Sequence, residues 1–262
     1  MKRGKLVVPP VRYGVRYGGE RKIDYDNIRF EEDPKGNLLL WKEPKGNGDL
    51  ELQHGEIRPG CFFVIGVSCA NEEIGELNYC AEILDCNSSE RIAEYYVNVG
   101  DITASEFAEE VYRLGCYYSK IEGALIGVED AGHGLTILKY LEDKEYSDIY
   151  HDSSGKAGFE ITEKNTQLLV DIVRASISAG NKEPTGGITA QYLKNKKPIK
   201  LADPIEDFTN ELLQNDPNKR RLRAMAIAIL IREPKAHFDA AKMQFEYKGR
   251  QGYSYSRRVR RK

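Results

Sequence analysis

Long apolar runs, a signal segment and paired cysteines are all missing from this 262-residue sequence. No stretch approaches the roughly 18–20 apolar residues that a membrane-spanning helix needs. No apolar segment follows the opening Met-Lys-Arg-Gly-Lys, so a secretory signal is not expected. The five cysteines are scattered and never form a C-x-x-C pair, which argues against a zinc ribbon or a disulfide framework. We therefore expect a protein of a reducing, cytoplasmic compartment with no membrane partner.

Opposite charges are segregated along the chain, although the formal net charge is only −2. The hydrophobic and charged shares, 40% and 31%, are those of a globular domain. Residues 72–145 are rich in acids, whereas the last six residues carry five positive charges, on Arg257, Arg258, Arg260, Arg261 and Lys262. A cationic tail beside an acidic body predicts a polyanionic partner or an acidic protein surface.

The hydrophobic pattern predicts an α/β fold between residues 61 and 232. Three strand patterns follow one another at 61–67, 79–84 and 91–97, and a helix with Phe107, Val111 and Leu114 on one face comes next. The remaining patterns predict strands at 124–128 and 147–150 and helices at 135–141, 163–177, 205–213 and 219–231. Strands joined by short loops favour an antiparallel meander, and strands alternating with helices favour parallel pairing. This predicts a mixed five-stranded sheet flanked by helices, as in RNase H, although the pattern fits other α/β folds too.

Two flanking segments complete the predicted organisation. Residues 1–60 are interpreted as a basic N-terminal arm with lead-in strands, including a short strand at 37–42. The tandem repeat Val11-Arg-Tyr-Gly-Val-Arg-Tyr-Gly18 fits either phosphate contacts with base stacking or an arm packed on the domain. Residues 233–262 mix glycine, aromatic and basic residues with few aliphatic ones, so this tail is predicted to be mobile.

Polar residues follow two of the predicted core strands at the points where those strands end. Ser68 comes directly after the first core strand, and Glu129-Asp130 follow the strand at 124–128. Function in open α/β sheets gathers at the carboxyl ends of strands, and Mg²⁺ or Mn²⁺ prefers carboxylate oxygens. The alternative is that Asp130 caps the next helix while Glu129 pairs with a lysine. Spacing alone leaves both interpretations open.

Several landmarks in order resemble one family, the nuclease domain of the large terminase subunit that packages tailed-phage DNA. The resemblance runs from about residue 37 to residue 231, with these segments in register: Gly36–Pro44, Phe63–Val67, Phe107–Tyr118, Leu125–Gly134, Ala157–Phe159 and Ala224–Ala228. It implies an RNase H-like fold and two-metal hydrolysis of DNA by three acidic positions.

The catalytic residues of that family transfer poorly to this chain. Glu129 matches the second acid, so it is predicted as a catalytic and metal-ligating residue, with Asp130 as a further catalytic candidate. Ser68 stands where the first acid is expected, and Lys219-Arg220 stand near the expected final pair of acids. A hydroxyl and two cations do not bind two divalent ions, so cleavage is predicted to be weak or lost. Mg²⁺ or Mn²⁺ would be the cofactor if activity survives.

The resemblance also implies partners. Double-stranded DNA is the first, with Arg221, Arg223 and the basic tail as predicted contacts. No G-x-x-x-x-G-K-[ST] motif occurs, so no motor ATPase is expected within these residues, and a separately encoded motor subunit and a portal protein are further candidate partners. All of this would take place in the host cytoplasm. Two alternatives stay open: an active endonuclease that uses displaced carboxylates such as Glu72, Glu73 or Asp216, and a non-catalytic module that binds DNA or the portal.

Overall fold

The computed structural model describes residues 1–9, 27–44, 63–70, 77–86, 88–118, 124–152, 154–178, 199–201 and 219–232. All of them lie in the compact unit Met1–Arg232. The strands are β1 Lys2–Val7, β2 Arg29–Glu32, β3 Leu38–Leu40, β4 Phe63–Ser68, β5 Asn78–Asp85, β6 Glu90–Asn98, β7 Leu125–Val128 and β8 Lys200–Leu201. The helices are α1 Ala104–Tyr117, α2 Gly134–Asp143, α3 Glu163–Ser178 and α4 Arg220–Ile231. Among these helices, none is long and apolar enough to cross a membrane.

The centre of the fold is a mixed sheet with the order β6-β5-β4-β7. β4, β5 and β6 form an antiparallel meander, and β7 runs parallel to β4 after the crossover through α1. Beyond β7, Ile149 forms one parallel bridge with Ile126. This order and these directions are those of an RNase H-like fold, as the sequence pattern predicted. All six residues of β4 are buried, which explains why the strand appears in the sequence as a continuous apolar run.

The strands β1, β2 and β3 extend this sheet. β3 pairs with β6, β1 pairs with β3, and β2 pairs with β1, all antiparallel. The short β8 lies beside the start of β6 in the parallel direction. The sheet is therefore wider than the predicted five strands, because β3 and β1 continue the pairing where β6 would otherwise be an edge strand.

Helices cover both faces of the sheet. α1 and α2 contribute Phe107, Val111, Leu114, Ile137 and Leu141 to the core on one face. On the other face, α3 and α4 contribute apolar side chains that pack on Val64 of β4 and Leu84 of β5. Nearly every residue of α4 is buried, including the arginines of its first turn. The two faces thus differ: one core is almost wholly apolar, whereas the other contains buried charges.

Glycine at position 66 lets α4 approach the sheet closely. A Cβ atom at Gly66 would lie 2.0 Å from the Ala224 carbonyl oxygen and 2.5 Å from the Ala228 backbone nitrogen. Such distances are impossible for a side chain, so only glycine fits between β4 and this helix. The close approach fixes the first turn of α4 against the carboxyl ends of β4 and β7.

Some sequence predictions need correction, and others fall outside the described residues. Residues 147–150 form a single bridge in place of a strand, since only Ile149 pairs with the sheet. β1 and β2 were not predicted as separate strands. The Val11–Gly18 repeat, the predicted helix at 205–213 and the tail at 233–262 lie outside the residues that the structure describes.

Candidate functional site

Two polar residues meet where β4 and β7 end. Val67 of β4 is in register with Val128 of β7, and the Glu129 backbone N–H donates to the Val67 carbonyl at 2.9 Å. The Ser68 hydroxyl donates to Glu129 Oε2 at 2.7 Å. Both side chains are buried, with relative exposures of 0% and 2%. Parallel pairing of neighbouring strands therefore brings together two residues that are 61 positions apart in the sequence.

Two arginines of α4 hold the same carboxylate. Arg220 donates from Nη1 to Glu129 Oε2 at 3.1 Å, and Arg223 donates from Nη1 to Glu129 Oε1 at 2.6 Å. Arg220 Nη1 also lies 3.4 Å from Ser68 Oγ. Spacing of three residues puts both arginines on one face of the helix. We call Ser68, Glu129, Arg220 and Arg223 the strand-end cluster.

The strand-end cluster does not fit a divalent metal. Two guanidinium groups and one carboxylate give it a net charge of +1, and each oxygen of Glu129 already accepts from an arginine. A cation placed beside either guanidinium would meet a repulsion of about 4 kcal/mol per pair of unit charges at about 4 Å and an effective dielectric constant of about 20. Mg²⁺ and Mn²⁺ need anionic oxygens that are free to bind them.

Asp130 lies away from this cluster. Successive residues of a strand point to opposite faces of a sheet, so Asp130 cannot join Glu129 on the α4 side. Its Cβ lies 2.8 Å from the position that a Cβ on Gly158 would take, and Leu138 of α2 is beside the same position. The Asp130 carboxylate forms an ion pair with Lys156 at 2.6 Å. A catalytic role for Asp130 stays a prediction, and its ion pair with Lys156 away from Glu129 weighs against it.

Lys219 and Arg220, which were predicted to lie together at the final helix, have different positions relative to that helix. Lys219 is the residue before α4, with extended backbone at φ −65° and ψ 127°. Arg220 is the first helical residue and is 1% exposed. Arg220 contacts Glu129.

A second set of buried charges, which was not predicted from the sequence, lies in the middle of the sheet. Arg91 of β6 donates from Nε and Nη2 to the Glu82 carboxylate at 2.7 and 2.6 Å, and it also pairs with Glu94. Arg221 of α4 donates to Glu94 at 3.1 Å and stacks over the Tyr96 ring at 3.6 Å. We call Glu82, Arg91, Glu94 and Arg221 the mid-sheet cluster. The sequence feature that indicates this cluster is the presence of two acids, Glu82 and Glu94, inside largely apolar strands.

Burial changes the ionisation of the mid-sheet cluster. Loss of water around Glu82 raises its pKa, Arg91 opposes the shift and the nearby Glu94 carboxylate adds to it, so that the resulting pKa is about 8. Neighbouring carboxylates raise the pKa of Arg91, so that side chain stays charged. Cys80, Glu82 and Glu94 bring ligand atoms within 4.8 Å of one another, a spacing compatible with a metal. However, Arg91 already pairs with both carboxylates.

Two arginines predicted to contact DNA are buried. Arg221 and Arg223 are 8% and 6% exposed, and they pair with Glu94 and Glu129 respectively. Direct contact with a phosphate would require each guanidinium to leave its carboxylate. DNA binding by these two arginines stays a prediction, and their burial weighs against it. Arg257, Arg258, Arg260, Arg261 and Lys262 lie outside the described residues.

Fold and site together define a class: an RNase H-like α/β protein in which arginines neutralise the acid at the strand ends. Among solved structures, the chain is similar to the large terminase nuclease from thermophilic phage G20c. With the zinc-bound structure it shares 14% identity and a TM-score of 0.48, over 77% of this chain and 91% of that one. With the magnesium-bound structure the values are 13%, 0.47, 75% and 88%.

Sequence comparison found no related protein in addition to these solved structures. No protein-family model matches the chain, and no curated protein sequence matches it. The solved structures share so few residues with this chain that they assign no role to any of its side chains. The roles of Ser68, Glu129 and the arginines must therefore be argued from their own contacts.

Proposed function

We propose that this chain is a non-cleaving RNase H-like module of the phage DNA-packaging terminase type. One observation carries the proposal: both oxygens of Glu129 accept from buried arginines, and Ser68 stands at the neighbouring strand end. An RNase H-like nuclease needs free acids at this edge to hold its metal ions. Among the described residues, this edge holds one acid, a hydroxyl and two cations, and these offer hydrolysis no metal site.

A module that does not cleave DNA can still bind DNA or another packaging protein, and we assign it this role. The sequence resemblance to terminase nuclease domains implies double-stranded DNA as a partner, with a portal protein and a separate ATPase motor as further candidates. The five cations at residues 257–262 favour a polyanion over an apolar ligand. DNA contact is therefore assigned to the tail, and the strand-end cluster is assigned a structural part.

The alternative of an active endonuclease needs other carboxylates beside Glu129. Asp130 points to the opposite face and pairs with Lys156, so it does not supply one. Glu72, Glu73 and Asp216 lie outside the described residues. Within the described part of the chain, no contact favours this alternative over the non-cleaving module.

Plasmid cleavage tests the proposal directly. The whole chain is incubated with supercoiled plasmid DNA and Mg²⁺ or Mn²⁺, and open-circular and linear products are measured over time. We expect no nicking above that of a buffer control, because Glu129 is held by cations. The matched control is Glu129→Gln, whose fold is checked by circular dichroism. Nicking by the unchanged chain that disappears in Glu129→Gln would refute the loss of catalysis.

DNA affinity and its dependence on salt test the binding role. Fluorescence anisotropy of a labelled DNA duplex is measured over a series of KCl concentrations, with the whole chain and with residues 256–262 deleted. Each phosphate neutralised by the tail steepens the slope of log affinity against log salt by about 0.9, so deletion of its five cations should flatten the slope by up to about 4.5. An unchanged slope would remove the tail as a DNA contact and favour an acidic protein surface, such as that of a portal.

A further inference from the structure

We infer that Arg220 and Arg223 take the place of a divalent cation at the strand ends, so that this chain has a built-in cation site. This inference deepens the proposed function and rests on it for the nature of the module. Their guanidinium groups contact opposite oxygens of one buried carboxylate, at 3.1 and 2.6 Å. Together the two guanidinium groups bring a charge of +2 to Glu129, which is the charge that a divalent cation would supply.

The fold holds the two arginines at a defined position beside the strand ends. Arg220 is within 3.4 Å of Ser68 Oγ and 3.1 Å of Glu129 Oε2, so one guanidinium spans the ends of β4 and β7. Gly66 lets the backbone of α4 approach β4 so closely that the helix cannot withdraw without losing its packing. The arginines are therefore held in place by the main chain of the fold as well as by the carboxylate.

The rest of the α4 side shows the same chemistry. Glu82 and Glu94, the other buried carboxylates on this face that carry described contacts, both pair with Arg91, and Glu94 also pairs with Arg221. In the described part of this layer, arginine neutralises each carboxylate that a metal could use. The layer thus satisfies its own charges without an external ion, and we expect the fold to be indifferent to divalent metals.

Replacing Ser68 and Arg220 with acids should turn the strand-end cluster into a site that binds a divalent cation. The double variant Ser68→Asp/Arg220→Asp gives the site three carboxylates against the one remaining arginine, and its net charge changes from +1 to −2. Such a set of oxygens binds Mn²⁺, whereas the unchanged cluster repels it. The matched control is Thr136→Asp/Lys35→Asp, which makes the same charge change on the exposed face of α2 and in the β2–β3 turn.

Mn²⁺ binding is measured by electron paramagnetic resonance of free Mn²⁺, and the melting temperature is recorded with Mn²⁺ and with EDTA. We expect no saturable binding and no melting shift for the unchanged chain and for the surface control. The double variant should bind Mn²⁺ at least about tenfold more tightly than either and melt at a higher temperature with the metal than with EDTA.

Two results would overturn the inference. The first is saturable Mn²⁺ binding by the unchanged chain that is lost in Glu129→Gln, because the arginines would then not occupy the cation site. The second is a folded double variant with no gain in affinity. If the double variant does not fold, the single variant Arg220→Gln takes its place and should still show tighter Mn²⁺ binding than the unchanged chain. Failure to bind metal leaves the plasmid result unaffected, so the inference and the proposed function fail separately.

Discussion

The strand-end and mid-sheet clusters use the same chemistry in different balance. The mid-sheet cluster has two arginines for two carboxylates, and one of its arginines comes from within the sheet. The strand-end cluster has two arginines for one carboxylate, and both come from α4. The first therefore has one arginine for each carboxyl group and is built partly into the strands, whereas the second has more arginines than carboxylates and depends on one helix.

The two clusters also differ in where they lie in the fold and in the role that this position indicates. Carboxyl ends of strands are where α/β folds place their chemistry, and the strand-end cluster lies at that edge. The mid-sheet cluster is enclosed between β5, β6 and α4, so its charges serve the packing of the layer. A buried ion pair is weak grounds for stability by itself, but the loss of one partner is costly. The variants below use that asymmetry to compare the two clusters.

The largest expected effect is the loss of Arg91. Arg91→Met leaves Glu82 and Glu94 buried without their shared partner, and we expect the free energy of unfolding to fall by about 4 kcal/mol. Urea denaturation followed by circular dichroism measures it. The control is Arg113→Met, whose partners Glu109 and Glu110 lie on the partly exposed surface of α1 and whose loss should cost about 0–1 kcal/mol. Equal losses in the two variants would contradict a structural role for the mid-sheet cluster.

The second effect is the loss of the strand-end carboxylate. Glu129→Gln keeps the shape but removes the carboxylate that Arg220 and Arg223 share, and we expect a cost of about 3 kcal/mol in urea denaturation. Asp143→Asn removes an exposed partner of Lys139 at 3.9 Å and should change little. Removing Arg223 together with the carboxylate should cost less than the sum of the single changes, since both belong to one network. Strict additivity would show that the pair does not interact.

The third effect is a pH dependence that belongs to the mid-sheet cluster. The pKa of Glu82 is about 8 in the folded chain, against an ordinary value of 4.5. Between these values the folded chain holds a proton that the unfolded chain has released, so stability is lost as pH rises through this window. From pH 6 to pH 7 we expect a loss of about 1.4 kcal/mol, which corresponds to one proton per molecule.

The Glu82→Gln variant is the control for that pH dependence. Glutamine cannot take up the proton, so the difference between the two pH profiles isolates this carboxyl from Cys80, Glu94 and the other groups around it. Urea denaturation of both chains at pH 5, 6, 7 and 8 provides the profiles. Parallel profiles would show that Glu82 stays ionised beside Arg91.

The smallest expected effect is the loss of the Ser68 hydroxyl. Ser68→Ala removes one hydrogen bond of 2.7 Å to Glu129, while both arginines still neutralise the carboxylate. We expect a cost of about 1 kcal/mol in urea denaturation. Ser147→Ala removes an exposed hydrogen bond to Asp148 and should cost less. A neutral Ser68→Ala would mean that the hydroxyl is dispensable to the strand-end cluster.

Local sequence determined most of the elements of this protein. The α1 helix begins where Thr103 and Glu106 form a capping box, and its apolar residues recur at helical spacing on the buried face. β4, β5, β6 and β7 lie where apolar and β-branched runs predicted them. These signals are strong because each depends on neighbours within a few residues. The same locality explains why Ile149, which pairs through a single bridge, was predicted as part of a strand.

The sequence by itself also determined which residues stand at the strand ends, since Ser68 and Glu129 follow apolar runs directly. Only the tertiary structure decided their partners. Arg220 is 91 residues from Glu129 in the chain, and no local pattern shows that α4 brings its arginines to that carboxylate. Strand alternation sends Asp130 to the other face, and close packing on Gly66 fixes the helix above the strand ends. The partners of a buried carboxylate are the groups that fold against it, which is why the sequence shows an acid at this strand end and only the fold shows the arginines that pair with it.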